Sequence, residues 1–317
     1  SDGSASPDPT VLTVYSGRDE EFIGPLFDRF QTDEGIELEV RYGDSAELAA
    51  TILEEGDGSP ADVFLSQDAG SLGAVAEAGL FTVIEPEILE RVDERFRSDE
   101  GLWVGASGRA RVLAYNTEAL QESELPDSVL ELTEPSWKGR IGFPPTNGSF
   151  QAFVAALIAQ IGENATRDYL EGLAANDPVL YEDNSSTVRG IAAGEVDAGL
   201  VNHYYLYEVS AEEGDIPVAN HFFTGGDPGA LVNAAGAGVL ASSEHRDAAM
   251  GLVDYLTDEP GQTYFASETF EYPVVPGYQP SAELVPLEEI ESPRIDLSDL
   301  GETIDPALRL LAEVGLV

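Results

Sequence analysis

Residues 11–42 read VLTVYSGRDEEFIGPLFDRFQTDEGIELEVRY, and the fold prediction starts from this stretch. Val11–Tyr15 is short and apolar, which predicts a buried strand. Apolar residues then recur at helical spacing across Asp19–Asp33, which predicts an amphipathic helix, and Ile36–Tyr42 alternates apolar with polar residues as a strand does. A strand, a helix and a second strand in this order predict a βαβ unit with parallel strands.

The same alternation continues further along the chain. Asp44 and Glu47 are spaced like a capping box and predict the start of a second helix. Ala61–Ser66 predicts a buried strand and Ser71–Ala78 a helix of small residues, which extends the pattern to a doubly wound α/β unit. At 317 residues the chain is long enough for two domains, each with its own core.

A second informative stretch, Val201–Tyr207, reads VNHYYLY at the end of a predicted strand. Asn202 is predicted to cap a helix, which places Tyr204 and Tyr205 in its first turn, just beyond the carboxyl end of the strand. Ligands of open α/β sheets bind there. Two converging phenol oxygens suit a hard, highly charged cation, which holds tyrosine as phenolate despite its usual pKa of about 10. The alternative is that both tyrosines are ordinary packing residues.

The charge of the chain narrows the choice of partners. Sixty acidic and 15 basic residues give a formal net charge of −45. Nucleic-acid and anionic-membrane partners are disfavoured, because both require basic patches. The acidic residues are spread along the whole chain, which predicts a solvated halophilic surface that tolerates self-repulsion in concentrated salt. A buffer for polyvalent cations would instead require acidic tracts with calcium-loop spacing, and the sequence has none.

Other structural classes are excluded by what the sequence lacks. It has no Cys, so disulfides, zinc thiolates and iron–sulfur ligation are excluded. No apolar run approaches the ~18 residues that a membrane span needs. Residues 1–10 are a polar Ser/Pro/Asp stretch, and they predict either the flexible tether that remains after removal of a secretion signal or a frayed terminus.

Two polar loops that open predicted helices are candidates for anion binding. They are Thr146-Asn147-Gly148-Ser149 and Asn184-Ser185-Ser186-Thr187. Free N–H groups and the positive end of the helix dipole attract anions at such positions. Arg18 and Arg109 could add bidentate contacts, and the scarcity of positive charge in this chain favours a role for both in a site. The alternative for each loop is a simple helix cap.

Six motifs occur in order along the chain. They are Val14-Tyr15-Ser16-Gly17-Arg18, Ser59-Pro60-Ala61-Asp62-Val63-Phe64, Ser107-Gly108-Arg109-Ala110-Arg111-Val112, Trp137-Lys138-Gly139-Arg140-Ile141-Gly142 running into Thr146-Asn147-Gly148-Ser149-Phe150, Asn202-His203-Tyr204-Tyr205, and Asp227-Pro228-Gly229-Ala230-Leu231. Together they resemble the ferric-ion-binding substrate-binding proteins of ABC iron importers, the periplasmic transferrin-like group. The resemblance covers roughly residues 11–280.

The resemblance implies a two-lobed α/β periplasmic-binding-protein fold (type II), with a doubly wound mixed sheet in each lobe and the ligand between the lobes. Residues 11–107 and 232–280 would form the first lobe, and residues 108–231 and 281–317 the second. The implied function is that of a monomeric, extracytoplasmic and lipid-anchored receptor. It would bind Fe3+ and deliver it to the permease of an ABC transporter, without catalysis, and lobe closure would present the loaded form.

The resemblance also implies a set of metal ligands. Tyr204 and Tyr205 match the adjacent metal-ligating tyrosines of the family. Two other ligand positions depart from its pattern: Asp19 stands where a His is common, and Gln67, followed by Asp68, stands where a Glu is common. Either Asp19 or Asp68 would compensate, or waters and an anion would complete the coordination shell.

The family often binds a synergistic anion, such as phosphate or carbonate, beside the metal. The resemblance places this anion at Thr146, Asn147, Gly148, Ser149, Asn184 and Asn202. These positions include both helix starts that were selected above on physical grounds alone.

Two further function classes stay open on the sequence. Gly43-Asp44-Ser45 resembles the nucleophile block of a serine esterase family, but no His has an Asp three residues before it, so Ser45 fits a helix start better. No His pair has the spacing of a metalloenzyme site, and His203 is expected to line the cleft. The other alternative is a receptor for an oxyanion, an organic solute or an iron chelate on the same scaffold, held by the helix starts and Arg109.

Overall fold

The computed structural model describes residues 10–281 and 284–317, and residues 1–9 of the predicted tether lie outside them. The described residues form ten β-strands and eleven α-helices. The strands are β1 Val11–Ser16, β2 Glu37–Tyr42, β3 Val63–Ser66, β4 Val104–Asn116, β5 Ile141–Phe143, β6 Val179–Leu180, β7 Ala198–Asn202, β8 Val218–His221, β9 Val232–Val239 and β10 Tyr272–Pro273. The helices are α1 Glu20–Glu34, α2 Ser45–Glu55, α3 Ala69–Glu77, α4 Pro86–Arg91, α5 Gly148–Ile161, α6 Glu163–Ala175, α7 Asn184–Ala192, α8 Tyr205–Glu213, α9 Arg246–Thr257, α10 Glu259–Ser267 and α11 Leu300–Glu313.

Local sequence signals set the ends of the first elements. Gly35, at a φ of 68°, terminates α1 in the left-handed region, where glycine pays no steric cost. β2 begins two residues later, at Glu37. Asp44 caps α2 as predicted, since its carboxylate accepts hydrogen bonds from the N–H groups of Ala46 and Glu47.

One group of strands has the order β2-β1-β3-β9-β4. β1 is parallel to both of its neighbours, with Val14 opposite Val40 on one side and Val63 on the other. This confirms the parallel βαβ units predicted from the first part of the chain. β9 comes from much later in the sequence and runs antiparallel to both β3 and β4, which makes the sheet mixed.

The other group of strands has the order β4-β7-β5-β6, with β8 also paired to β4. β4 is therefore common to both groups. It pairs with β9 from Val104 to Ala110 and with β7 from Arg111 to Tyr115. Residues Ala110 and Arg111 mark the point where the chain crosses from one group to the other, and every residue of β4 is buried.

The C-terminal helix, α11, contacts helices that belong to both groups of strands. It packs against α3, which follows β3, and against α5, which follows β5. Its buried residues are Leu300, Ala307, Leu310 and Leu311. The lobe boundaries given above remain a prediction.

Among the described residues, no helix combines the length and the apolar character needed to cross a membrane.

Candidate metal and anion site

The adjacent tyrosines lie at the junction between β7 and α8. β7 ends at Asn202, and α8 begins at Tyr205 with Tyr204 in the N-cap position. The prediction that Asn202 caps the helix is therefore wrong, because Asn202 is still part of the strand. Its Oδ1 instead accepts a hydrogen bond of 3.2 Å from Nη1 of Arg111. The tyrosines nevertheless occupy the position expected for them, just beyond the end of a strand.

The two phenol rings are stacked and buried. Their centroids are 4.2 Å apart with an interplanar angle of 30°, and the side chains are 1% and 8% exposed. The Tyr204 hydroxyl is buried without a hydrogen-bond partner. Burial raises the pKa of Tyr205 well above its usual value, although Arg18 and Arg109 act in the opposite direction. This shift keeps Tyr205 protonated in the absence of a cation, whereas a cation beside the two phenol oxygens would stabilise phenolate.

Phe22, from the first turn of α1, covers the tyrosine pair. Its ring makes edge contacts with Tyr204 at 5.9 Å and with Tyr205 at 6.4 Å between centroids. The guanidinium of Arg18 lies 5.2 Å from the Phe22 ring centroid and 6.0 Å from that of Tyr204. Residues from the β1–α1 region therefore close directly over the tyrosines of the other strand group.

The remaining predicted metal ligands differ in their availability. The Asp19 side chain is exposed and makes no cap hydrogen bond to α1. Gln67 accepts a hydrogen bond of 3.3 Å from Arg109 through Oε1. Asp68 is buried, which raises its pKa, and it caps α3 by accepting from the N–H of Ser71 at 2.7 Å and from its Oγ at 3.0 Å. Among the described residues, no group of three or more His, Cys, Asp or Glu side chains is placed to hold a metal ion.

Arg18 and Arg109, both predicted to contact an anion, share a buried carboxylate. Glu271 is 0% exposed and lies 2.9 Å from Nη2 of Arg18 and 3.9 Å from Nε of Arg109. It also accepts hydrogen bonds from Ser107 and Thr269. Burial lowers the pKa of Arg18, but Glu271, Tyr204 and Tyr205 together raise it by more, so the net shift is upward.

Arg111, in contrast, is a buried guanidinium that makes no ion pair among the described residues. Its Nη1 donates to Oγ of Ser149 at 3.3 Å, and its Nη2 donates to the Leu200 carbonyl at 3.1 Å, while Nε has no partner. Burial lowers its pKa to about 9. An anion beside Arg111 would raise that pKa again and offset the cost of burying the charge.

Arg111 is joined by the side chains at the two helix starts that were predicted to bind an anion. Asn147 caps α5 by accepting from the N–H of Ser149. Nδ2 of Asn184 donates to Oδ1 of Asn147 at 3.1 Å and to Oγ of Ser149 at 3.3 Å, while Oδ1 of Asn184 is buried without a partner. Of the predicted anion residues, Ser149 and Asn202 thus bond directly to Arg111, and Asn147 and Asn184 bond to Ser149. Thr146 instead accepts a hydrogen bond from Gln151 through its backbone carbonyl.

A family described as bacterial extracellular solute-binding protein matches residues 58–297. The chain belongs to this family. The Fe(3+)-binding periplasmic protein of Serratia marcescens is 34% identical over 317 residues, with 99% of this chain and 93% of that protein covered. The major ferric iron-binding protein of Neisseria meningitidis serogroup B is also 34% identical, over 320 residues, with 99% and 95% covered.

Solved structures support the same relationship. Iron-bound HitA from Pseudomonas aeruginosa has a TM-score of 0.92 and 39% identity, with 97% of this chain and 100% of that chain covered. A Trichodesmium protein in complex with iron and citrate has a TM-score of 0.83 and 30% identity, with 96% and 99% covered. The predicted two-lobed periplasmic-binding-protein fold is confirmed. These relatives are binding proteins of the periplasm or cell exterior, which agrees with the prediction that the chain is not an enzyme.

Two important residues of the site were not singled out from the sequence. Arg109 and Arg111 are two residues apart on one strand, so their side chains lie on the same face of the sheet. This spacing is the sequence signal that would have indicated Arg111 as a second site residue. Glu271 carries no comparable signal, since it is one of 60 acidic residues and lies 253 positions from Arg18.

His203 lies behind the tyrosines and is held as the neutral tautomer. The N–H of Ala110 donates to its Nδ1 at 3.1 Å, so Nε2 carries the proton and donates to the Phe270 carbonyl at 2.8 Å. Burial lowers its pKa from 6.5 to about 4. His203 therefore joins β4 at the crossing point to the segment after α10, and its side chain has no free nitrogen for a metal.

We expect this histidine to make the stability of the protein depend on pH. Between about pH 6.5 and about pH 4 the unfolded chain binds a proton at His203 that the folded chain does not. The contribution of His203 to the free energy of unfolding therefore falls as the pH is lowered through this window, by roughly 3 kcal/mol. Urea unfolding at a series of pH values gives the slope of the free energy of unfolding against pH. We expect this slope to be smaller in His203→Gln than in the wild type. His245→Gln, at an exposed site, should keep the wild-type slope, and equal slopes in all three proteins would contradict the assignment.

Proposed function

We propose that the protein binds ferric iron through the phenol oxygens of Tyr204 and Tyr205, together with an anion at Arg111, and delivers the iron to an ABC transporter. The observation that carries this proposal is the stacked, buried tyrosine pair, in which the Tyr204 hydroxyl has no hydrogen-bond partner. A buried hydroxyl without a partner costs about 1–3 kcal/mol. A metal ion bound to this oxygen would remove that cost, since the oxygen would then have a partner.

The balance of charge favours a trivalent cation with an accompanying anion. Two phenolates neutralise two of the three positive charges of Fe3+, and Arg111 adds one positive charge that no carboxylate within the described residues offsets. An anion with two negative charges would complete the balance, or one with a single negative charge if the Asp19 carboxylate is also a ligand. The names of the relatives, which specify ferric iron, and the structure with iron and citrate support the same combination.

The rest of the coordination shell is part of this proposal. Asp19 is the first-lobe candidate that stays accessible, whereas Gln67 is bonded to Arg109 and Asp68 caps α3. We therefore assign Asp19 and oxygen atoms of the anion or water to the remaining positions. We also propose that the protein acts as a lipid-anchored monomer. In this proposal the first lobe consists of residues 11–107 and 232–280, and the second of residues 108–231 and 281–317.

A visible spectrum combined with metal analysis tests the proposed function. We expect one iron per chain and a phenolate-to-iron charge-transfer band that a strong chelator removes and ferric salt restores. Iron that binds without a visible band would exclude the tyrosines as ligands. Tight binding of an oxyanion with no binding of iron would instead favour the alternative of an oxyanion receptor.

A further inference from the structure

The Asp44 carboxylate belongs to the β2-β1-β3-β9-β4 group of strands and lies near the start of α5, a helix of the other group. It lies between β2 and α2, and its Oδ1 accepts hydrogen bonds from the N–H groups of Ala46 and Glu47 at 2.9 and 3.4 Å. Its other oxygen, Oδ2, faces across to Gly148, the first residue of α5. A Cβ atom placed on Gly148 would lie 3.7 Å from this oxygen. One carboxylate therefore caps its own helix and also faces the N-terminus of a helix in the other group.

The same end of α5 is where the candidate anion ligands converge. Two buried polar atoms there have no partner, Oδ1 of Asn184 and Nε of Arg111. Asn184 and Arg111 both bond to Oγ of Ser149, which is the second residue of α5. Oδ1 of Asn184 accepts hydrogen bonds, so the unpartnered donor for an anion here is Nε of Arg111. An anion bound to Arg111 would have the Asp44 carboxylate as a neighbour of the same charge.

We propose that Asp44 determines which anions the site accepts by penalising them according to their charge, an inference that rests on the proposed function. Asp44 is exposed, so the repulsion acts largely through water. At a separation of roughly 6 Å in water, one unit charge on the anion lowers its affinity about threefold, and two unit charges lower it about tenfold. When no anion is bound, the carboxylate also interacts favourably with the positive end of the α5 dipole. An anion would compete for this interaction, which lowers its affinity further.

The test compares Asp44→Asn with the wild type and with Glu47→Gln. Asn is as good a helix cap as Asp, so Asp44→Asn removes the charge and keeps α2 capped. Glu47 is one turn further along α2 and is exposed, which makes Glu47→Gln a control for general loss of acidic charge. Iron-loaded protein is titrated with phosphate, mainly a dianion above neutral pH, or with bicarbonate, a monoanion. The shift of the visible band gives each apparent dissociation constant, in the lowest salt that keeps the wild type folded, because salt screens the effect.

We expect Asp44→Asn to bind phosphate about tenfold and bicarbonate about threefold more tightly than the wild type does, and Glu47→Gln to change neither by more than about 1.5-fold. Equal changes for the two anions, no change in Asp44→Asn, or the same change in Glu47→Gln would each overturn the role of Asp44. A wild type that shows no ferric band at all would overturn the proposed function and this inference with it.

Discussion

We expect Tyr204→Phe to abolish ferric binding, and the visible band with it, without any loss of stability. Replacement of residues that only support a metal ligand already costs about 10–100-fold in metal affinity, so loss of a ligand should exceed about 100-fold. Tyr205→Phe should have a similar effect on iron. The measurement is a titration of purified protein with a ferric chelate, followed by absorption and by metal analysis.

Stability provides the second half of this prediction. The Tyr204 hydroxyl is buried and makes no hydrogen bond, while its ring packs against Tyr205 and Phe22. Phe keeps the ring and removes the unpartnered hydroxyl. The free energy of unfolding of the metal-free protein should therefore stay unchanged or rise by up to about 1 kcal/mol. An iron-binding defect together with an unchanged or higher stability cannot be explained by misfolding.

Tyr169→Phe is the matched control for this pair of measurements. Tyr169 is also buried with an unpartnered hydroxyl, but it belongs to α6 and packs edge-on against Phe153 of α5. We expect the same effect on stability as for Tyr204→Phe and wild-type iron binding. Wild-type iron affinity in both Tyr204→Phe and Tyr205→Phe would refute the assignment of the metal site.

The sequence predicted correctly those parts of the fold that depend on residues close together in the sequence. Periodicity placed β1, α1 and β2, and the strand-to-helix change near Val201 placed the tyrosine pair. The helix cap at Asn202 was predicted wrongly because a short polar residue at a strand end has the same local pattern whether the helix is capped there or two residues later.

The contacts around Arg18, Arg109 and Arg111 could not be predicted in the same way. Each arginine follows or lies within a strand, and local sequence does not reveal which of 60 acidic residues lies beside it. The structure pairs Arg18 and Arg109 with Glu271 and leaves Arg111 without a carboxylate within the described residues. That difference supports the proposal that Arg111 binds the anion, whereas Arg18 and Arg109 belong to a buried ionic network. Only the long-range topology of β4 and the α10–β10 segment produces it.

The second large effect concerns this network, and we expect Glu271→Gln to lower the free energy of unfolding by about 3–5 kcal/mol. Gln has nearly the same shape as Glu, so no cavity forms. The change instead leaves two buried guanidinium groups, of Arg18 and Arg109, without a counter-charge, and an uncompensated buried charge is far more costly than the intact pair is stabilising. Chemical denaturation of the metal-free protein measures the difference.

Glu268→Gln tests whether the loss depends on burial rather than on the removal of any acidic partner. Glu268 lies three residues earlier and pairs with Arg29 at 3.9 Å, but the two side chains are 54% and 51% exposed. Water screens this pair, so its loss should change the free energy of unfolding by less than about 0.5 kcal/mol. If Glu271→Gln is as mild as Glu268→Gln, Arg18 and Arg109 do not depend on Glu271, and both would then be free to bind the anion as the sequence first indicated.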